Sequence, residues 1–138
     1  MTRSAGRRAA RQRDDRGEVT ATVLMIPVVL LAVLFVVQFA LAYHARQVLA
    51  GATQDGAAAA ARVDASPADG AELTRTLIES AAGNLVDDAS VSAEGGAQTV
   101  TVRASAQVVS LIPFVGGITV RASSTAKLET FDPQGAAP

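Results

Sequence analysis

The chain of 138 residues contains no cysteine, a single histidine and few aromatic residues, which make up 4% of the sequence. The missing thiols exclude a disulfide and a thiolate metal site, and leave cellular location to be read from other features. Nucleophilic hydrolysis by serine requires a base and a group that orients it. The one histidine, His44, has no second histidine to work with, and neither a GxSxG motif nor a serine–lysine pairing is present. A phosphate-binding glycine loop is also missing. Asp14-Asp15 and Asp87-Asp88 lack the ligand spacing of a calcium loop and read as juxtamembrane or turn charge. These absences leave no catalytic, cofactor-binding or metal residue to nominate. With aromatics scarce, the hydrophobic fraction of 49% rests on Ala, Val and Leu, so a folded core must be thin and built from small side chains.

Charge is missing over a long stretch. Residues 19–43 contain no charged side chain; Glu18 precedes them and His44 and Arg46 follow. At a helical rise of about 1.5 Å per residue, residues 23–42, apolar but for Gln38, extend roughly 30 Å, the thickness of a bilayer's hydrocarbon core. A soluble core helix shows a polar face; here Gln38 alone interrupts the run between Thr22 and Tyr43. The pattern predicts a membrane span. His44, where the span leaves the lipid, fits an interfacial position. A competing reading takes Ala40-Leu41-Ala42 as an A-x-A cleavage site that releases a small secreted domain, although the apolar region exceeds the roughly 7 to 15 residues of a signal-peptide core.

Arginines 3, 7, 8, 11, 13 and 16 precede the span, whereas acids outnumber bases after it. This asymmetry predicts a cytoplasmic N-terminus and an extracytoplasmic C-terminal domain in the cell membrane. A nucleic-acid arm or a lipid-binding patch is the alternative use of such arginines, and no nucleic acid is expected as a partner. Residues 1–18 and 131–138 are expected to be disordered tails, residues 19–43 the span, and residues 44–130 the outer domain.

Pro27 should kink the span by removing a backbone donor and crowding the carbonyl of Val23. The helix should then continue out of the lipid through the alanine-rich residues 44–62, with Leu41, Ala45, Val48, Leu49 and Ala52 on one stripe. Gly51 and Gly56 either permit close backbone packing or are simply tolerated. Ser66-Pro67 with Asp69 signals a second helix, whose apolar stripe is Leu73, Leu77, Ile78, Ala81 and Leu85. From Ser90 the period becomes two. Strands around residues 90–94, 99–108 and 118–129 form an antiparallel meander, with a turn at Gly95-Gly96. The expected class is α+β, a long helix laid on a three-stranded sheet. The loop that holds Ile112, Pro113, Phe114 and Val115 is the most apolar in the chain. It either folds over the open end of the core or stands out as a contact patch for a neighbouring subunit or the membrane.

The order of parts resembles the TadE-like family: Arg16-Gly17, a few small or polar residues, a span with Pro27, Gln54-Asp55-Gly56-Ala57 within QDGAAAAAR, and the closing ITVRASSTAKLE. The resemblance runs over residues 16–129. It implies a pseudopilin or minor pilin-like protein of tight-adherence pilus assembly, with a membrane helix, a small pilin-like outer domain, and partners among the bilayer and other pilus assembly proteins. It also implies prepilin-type processing at Gly17-Glu18. In such proteins a carboxylate just inside the span, at the position of Thr22, pairs with a neighbour's freed amine. Thr22 departs from that pattern, and Glu18 is the nearest acid. A stand-alone membrane-anchored binding or adhesion module is the alternative without assembly machinery.

Overall fold

The structure, a computed structural model, describes residues 5–130, with side chains from residue 18 onward. Five elements follow in order: α1 (Ala5–Ala60), α2 (Pro67–Ala82), β1 (Val86–Gly95), β2 (Thr99–Val108) and β3 (Ile118–Lys127). The class is α+β, as the change of period from helical to alternating implies. Helix α1 is 56 residues long and continues through Pro27. Its backbone is already helical at Ala5, ahead of the first apolar residue of the span, in a stretch rich in alanine and arginine, both good helix formers. Of the tails expected to be disordered, residues 1–4 and 131–138 fall outside the described residues, whereas residues 5–18 are helical within α1.

The chain divides into two compact units, Met1–Val37 and Gln38–Pro138. Hydropathy sets a boundary after residue 43 and packing sets one before residue 38, because the first marks the end of apolar sequence and the second the start of intramolecular cover. In the first unit the large apolar side chains other than the half-buried Leu34 stand exposed, from Val19 through Leu24, Ile26 and Leu30 to Val36.

The second unit is a helix pair on a sheet. The strands lie in the order β1-β2-β3, each antiparallel to its neighbour. In β2, Val100, Val102, Ala104, Ala106 and Val108 are all buried, so the alternation read from sequence is the inner face of the sheet. Against it, Ala42, Ala45, Leu49 and Ala52 of α1 and Ile78 and Ala82 of α2 complete one core. Leu49 is fully buried among alanines and valines, a placement that contributes about 1.5–3 kcal/mol. A smaller cluster of Ala60, Ala61 and Val100 closes the other end, where the Glu129 N–H donates to the Ala61 carbonyl at 2.9 Å.

Two sequence readings are corrected. Strand β1 begins at Val86, not Ser90, because a bulge between Asp87 and Ser90 hides the alternation of its first half; Asp88 there has φ 50°. On α2 the buried residues are Gly70, Thr74, Ile78 and Ala82, whereas Leu73 and Ala81 are exposed. Close approach of the two helices selects small residues for the contact, and that displaces the stripe from the leucines. The start of α2 is as read: the Ser66 hydroxyl accepts the Asp69 N–H, and the Asp69 carboxylate accepts the Ser66 N–H at 2.8 Å.

Candidate functional site

Each sequence-nominated residue has a distinct setting. Gly17 lies among residues whose side-chain surroundings are outside the description. At Thr22 the hydroxyl donates to the Glu18 carbonyl at 2.9 Å, so it satisfies a backbone acceptor one turn back within the helix. Thr22, Met25, Ile26, Val29, Leu30 and Val33 share one strip of the same helix, apolar apart from the threonine hydroxyl. Pro27 sits within α1 without interrupting its helical assignment. Thr22 and Pro27 thus belong to a mostly apolar stretch of helix surface that is compatible with lipid.

The two helix glycines differ. A side chain at Gly51 would meet nothing within 4 Å, so this glycine makes no close approach within the chain. At Gly56 a Cβ would collide with the Thr74 hydroxyl and stand 2.6 Å from the Gly70 carbonyl oxygen; at Gly70 it would stand 2.6 Å from Ala60 Cβ. The two helices therefore cross backbone to backbone at Gly56 and Gly70. Thr74, fully buried, fastens the crossing: its hydroxyl lies 2.8 Å from the Gly70 carbonyl and 3.2 Å from the Ala52 carbonyl of α1.

The apolar loop divides likewise. Ile112 turns into the core and is 6% exposed, but Leu111, Phe114 and Val115 face outward, with Pro113 also exposed. One residue of the loop, Ile112, thus covers the core and four stand out. Phe114 is fully exposed at 108% and has φ 64°, a left-handed conformation uncommon for a bulky residue.

Sequence reasoning missed the buried polar ties. Gln38, 3% exposed, uses both ends of its amide: Nε2 donates to the Val109 carbonyl at 3.0 Å, and Oε1 accepts the Leu111 N–H at 2.8 Å. Its signal was present, since it is the one polar residue in 23–42. Thr53 on α1 meets Ser124 on β3 hydroxyl to hydroxyl at 3.1 Å, a tie that parity along β3 places on the inner face. His44 is exposed, and among the described residues no cluster of His, Asp or Glu is arranged to hold a metal ion.

Among the described residues, Asp69 is the one group with a displaced titration. The Ser66 hydroxyl, and after it the Ser66 backbone N–H, favour its ionised form and hold its carboxyl below the usual aspartate value. That is a capping effect, remote from any chemistry. The arrangement offers surfaces: an exposed apolar helix, a second unit built of a helix pair on a sheet, and an outward loop fixed to Gln38.

No curated protein and no solved structure matches the chain. One family model does, over residues 22–58, a segment that holds nearly all of the apolar run, Gln38, the buried stripe of α1 and Gly56. That model is the one for TadE-like protein, and over this segment the chain is similar to it.

Proposed function

We propose that the chain is a non-enzymatic, membrane-anchored, pseudopilin-like component of tight-adherence pilus assembly, with its N-terminus in the cytoplasm and its α+β unit outside. The observation that carries this reading is the TadE-like match over residues 22–58, because it covers both the exposed apolar segment and the packed segment of α1. One long apolar helix fits a single-pass anchor. The arginines ahead of it and the acids beyond it support the orientation. Release after Ala42 is disfavoured on physical grounds, since it would separate the outer unit from Gln38, which binds the 109–111 backbone, and would sever α1 at a core residue.

The working surface is the exposed side of α1. Gln47 and Gln54 are exposed there, Gln47 donating to the Tyr43 hydroxyl at 2.8 Å. Photo-crosslinkers placed at Gln47 or Gln54, in cells that express neighbouring pilus components, are expected to give adducts with those components. Monomer under every condition would overturn the assembly role. Intact mass of the native protein reports processing, because maturation would leave Met1, Glu18 or Tyr43 at the N-terminus. The outer sheet face, where Arg103, Arg121 and Ser123 are exposed, favours one second reading, an anchored binding module that uses this face. A genomic neighbourhood without a pilus ATPase or membrane platform would support it.

A further inference from the structure

We infer that the loop formed by Leu111, Pro113, Phe114 and Val115 dips into the outer leaflet of the bilayer, so that the outer unit holds the membrane at a second point besides its helix. The inference rests on the anchor reading above and adds a lipid-contact surface to it.

The first observation is the tether. Gln38 belongs by sequence to the uncharged apolar run, yet by packing it is the first residue of the outer unit. Its side-chain amide clamps the backbone at Val109 and Leu111. The loop is therefore fixed at the height along α1 where the apolar run is still in progress, short of Tyr43, His44 and Arg46.

The second is a length. From Glu18 to Gln38 the helix rises roughly 30 Å, a full hydrocarbon thickness. If Glu18 marks the inner edge of the hydrocarbon, Gln38 marks the outer one. Residues 39–43 then cross the headgroup layer, which leaves Tyr43 and His44 at the depth where amphipathic rings collect. A loop held at Gln38 sits at the border of acyl chains and headgroups.

The third is the chemistry of the loop. No charged residue occurs from Ala104 to Val120; Arg103 and Arg121 flank the segment. Phe114, Leu111 and Val115 point outward while Ile112 holds the turn against the core. Backbone groups at the turn find partners inside it: the Ile112 N–H donates to the Ser110 hydroxyl at 3.3 Å, and the Val115 N–H to the Ile112 carbonyl at 3.3 Å. Internal pairing of this kind is what a non-helical segment requires at the edge of lipid. The left-handed conformation of Phe114 belongs to this outward-facing turn. Asp87 and Asp88 limit the depth: Asp87 pairs with Gln107, beyond Val108 on the side away from the loop, so these carboxylates remain in the water-rich layer while the tip enters.

The lack of cysteine makes the test direct. Single-cysteine variants Phe114→Cys, Val115→Cys, Ser123→Cys and Val33→Cys of the full chain are labelled with an environment-sensitive fluorophore. They are then reconstituted into phosphatidylcholine–phosphatidylglycerol vesicles that contain nitroxide lipids labelled near the carbonyl or deep in the acyl chain. The expected result is a blue shift at Phe114 and Val115 with loss of emission to the shallow nitroxide, loss to the deep nitroxide at Val33, and quenching by aqueous iodide at Ser123. Iodide access at Phe114 and Val115 with Val33 still in lipid would overturn the loop inference and leave the anchor standing. Iodide access at Val33 as well would remove the anchor reading, and the loop inference with it. A blue shift at Phe114 that vanishes on dilution in lipid, without nitroxide quenching, would assign the loop to a protein neighbour and overturn the inference.

Discussion

The two parts of α1 bury opposite kinds of residue. Between Val19 and Val37 the large side chains except Leu34 are outside, with Leu30 59% exposed, whereas from Gln38 to Ala60 the helix buries chiefly alanines together with Leu49, Thr53 and Gly56. Within the outer unit, size is rejected at the contact: the sheet and α2 approach so closely that small residues fill the space, and a glycine pair marks the tightest point. In the first segment bulk has no internal partner and suits a solvent made of hydrocarbon. A hydrophobic residue on this helix thus has two meanings, told apart by volume as much as by hydropathy.

The comparison is tested most severely at Leu49. Leu49→Ala is expected to destabilise the outer unit by about 2–5 kcal/mol in thermal or denaturant unfolding of the detergent-solubilised protein. A negligible loss would mean that the outer core is not packed on α1. Next comes the glycine crossing. Gly56→Val should cost about 1–3 kcal/mol or more, since its Cβ would overlap the Thr74 hydroxyl, while Gly51→Ala, in open space, should stabilise by up to about 1 kcal/mol through helix propensity. Equal effects at the two sites would erase the distinction drawn between them.

Smaller again is the cap of α2, which both segments of α1 should ignore. Ser66→Ala is expected to lower outer-unit stability by about 1 kcal/mol. The sign of its pH dependence follows from Asp69, whose folded carboxyl titrates below its ordinary value. The contribution is fully present above the unfolded value and is lost as pH falls through the folded one, so the wild-type advantage over Ser66→Ala should shrink in acid and stay flat near neutrality. At the bottom of the scale, Leu30→Ala should change outer-unit unfolding by less than about 0.5 kcal/mol, despite removing as much side chain as Leu49→Ala. A loss comparable to that at Leu49 would show that the exposed segment is covered after all.

Much of this was legible. The change from an unbroken apolar run to helical and then alternating periods gave the elements their order, and Ser66-Pro67 with Asp69 located the second helix because capping chemistry is local. The inner face of β2 was readable because strand parity does not depend on a partner. The stripe on α2 was not, because which face is buried was decided by the distance of closest approach to α1, and that put Gly70 and Thr74 where leucines were expected. The first half of β1 was hidden by a bulge, which shifts parity without a residue signature of its own. Of the candidate sites, the apolar loop could be located but not oriented. Gln38 had been seen only as an interruption, since a side chain's partner 71 residues away is invisible to periodicity.

The strand order carries a consequence for how the molecule comes together. Because β1, β2 and β3 are neighbours in sequence as well as in the sheet, the meander closes only short loops and can form quickly; the long-range step is its union with α1. A membrane-inserted α1 is helical before that union, since lipid leaves its backbone no other way to satisfy its hydrogen bonds. On the anchor role proposed above, assembly of the second unit is the docking of a late-made sheet onto a helix already in place. Pulsed hydrogen exchange during refolding into vesicles is expected to protect amides of the first part of α1 before those of Val102 and Ala104, and the reverse order would refute this sequence of events.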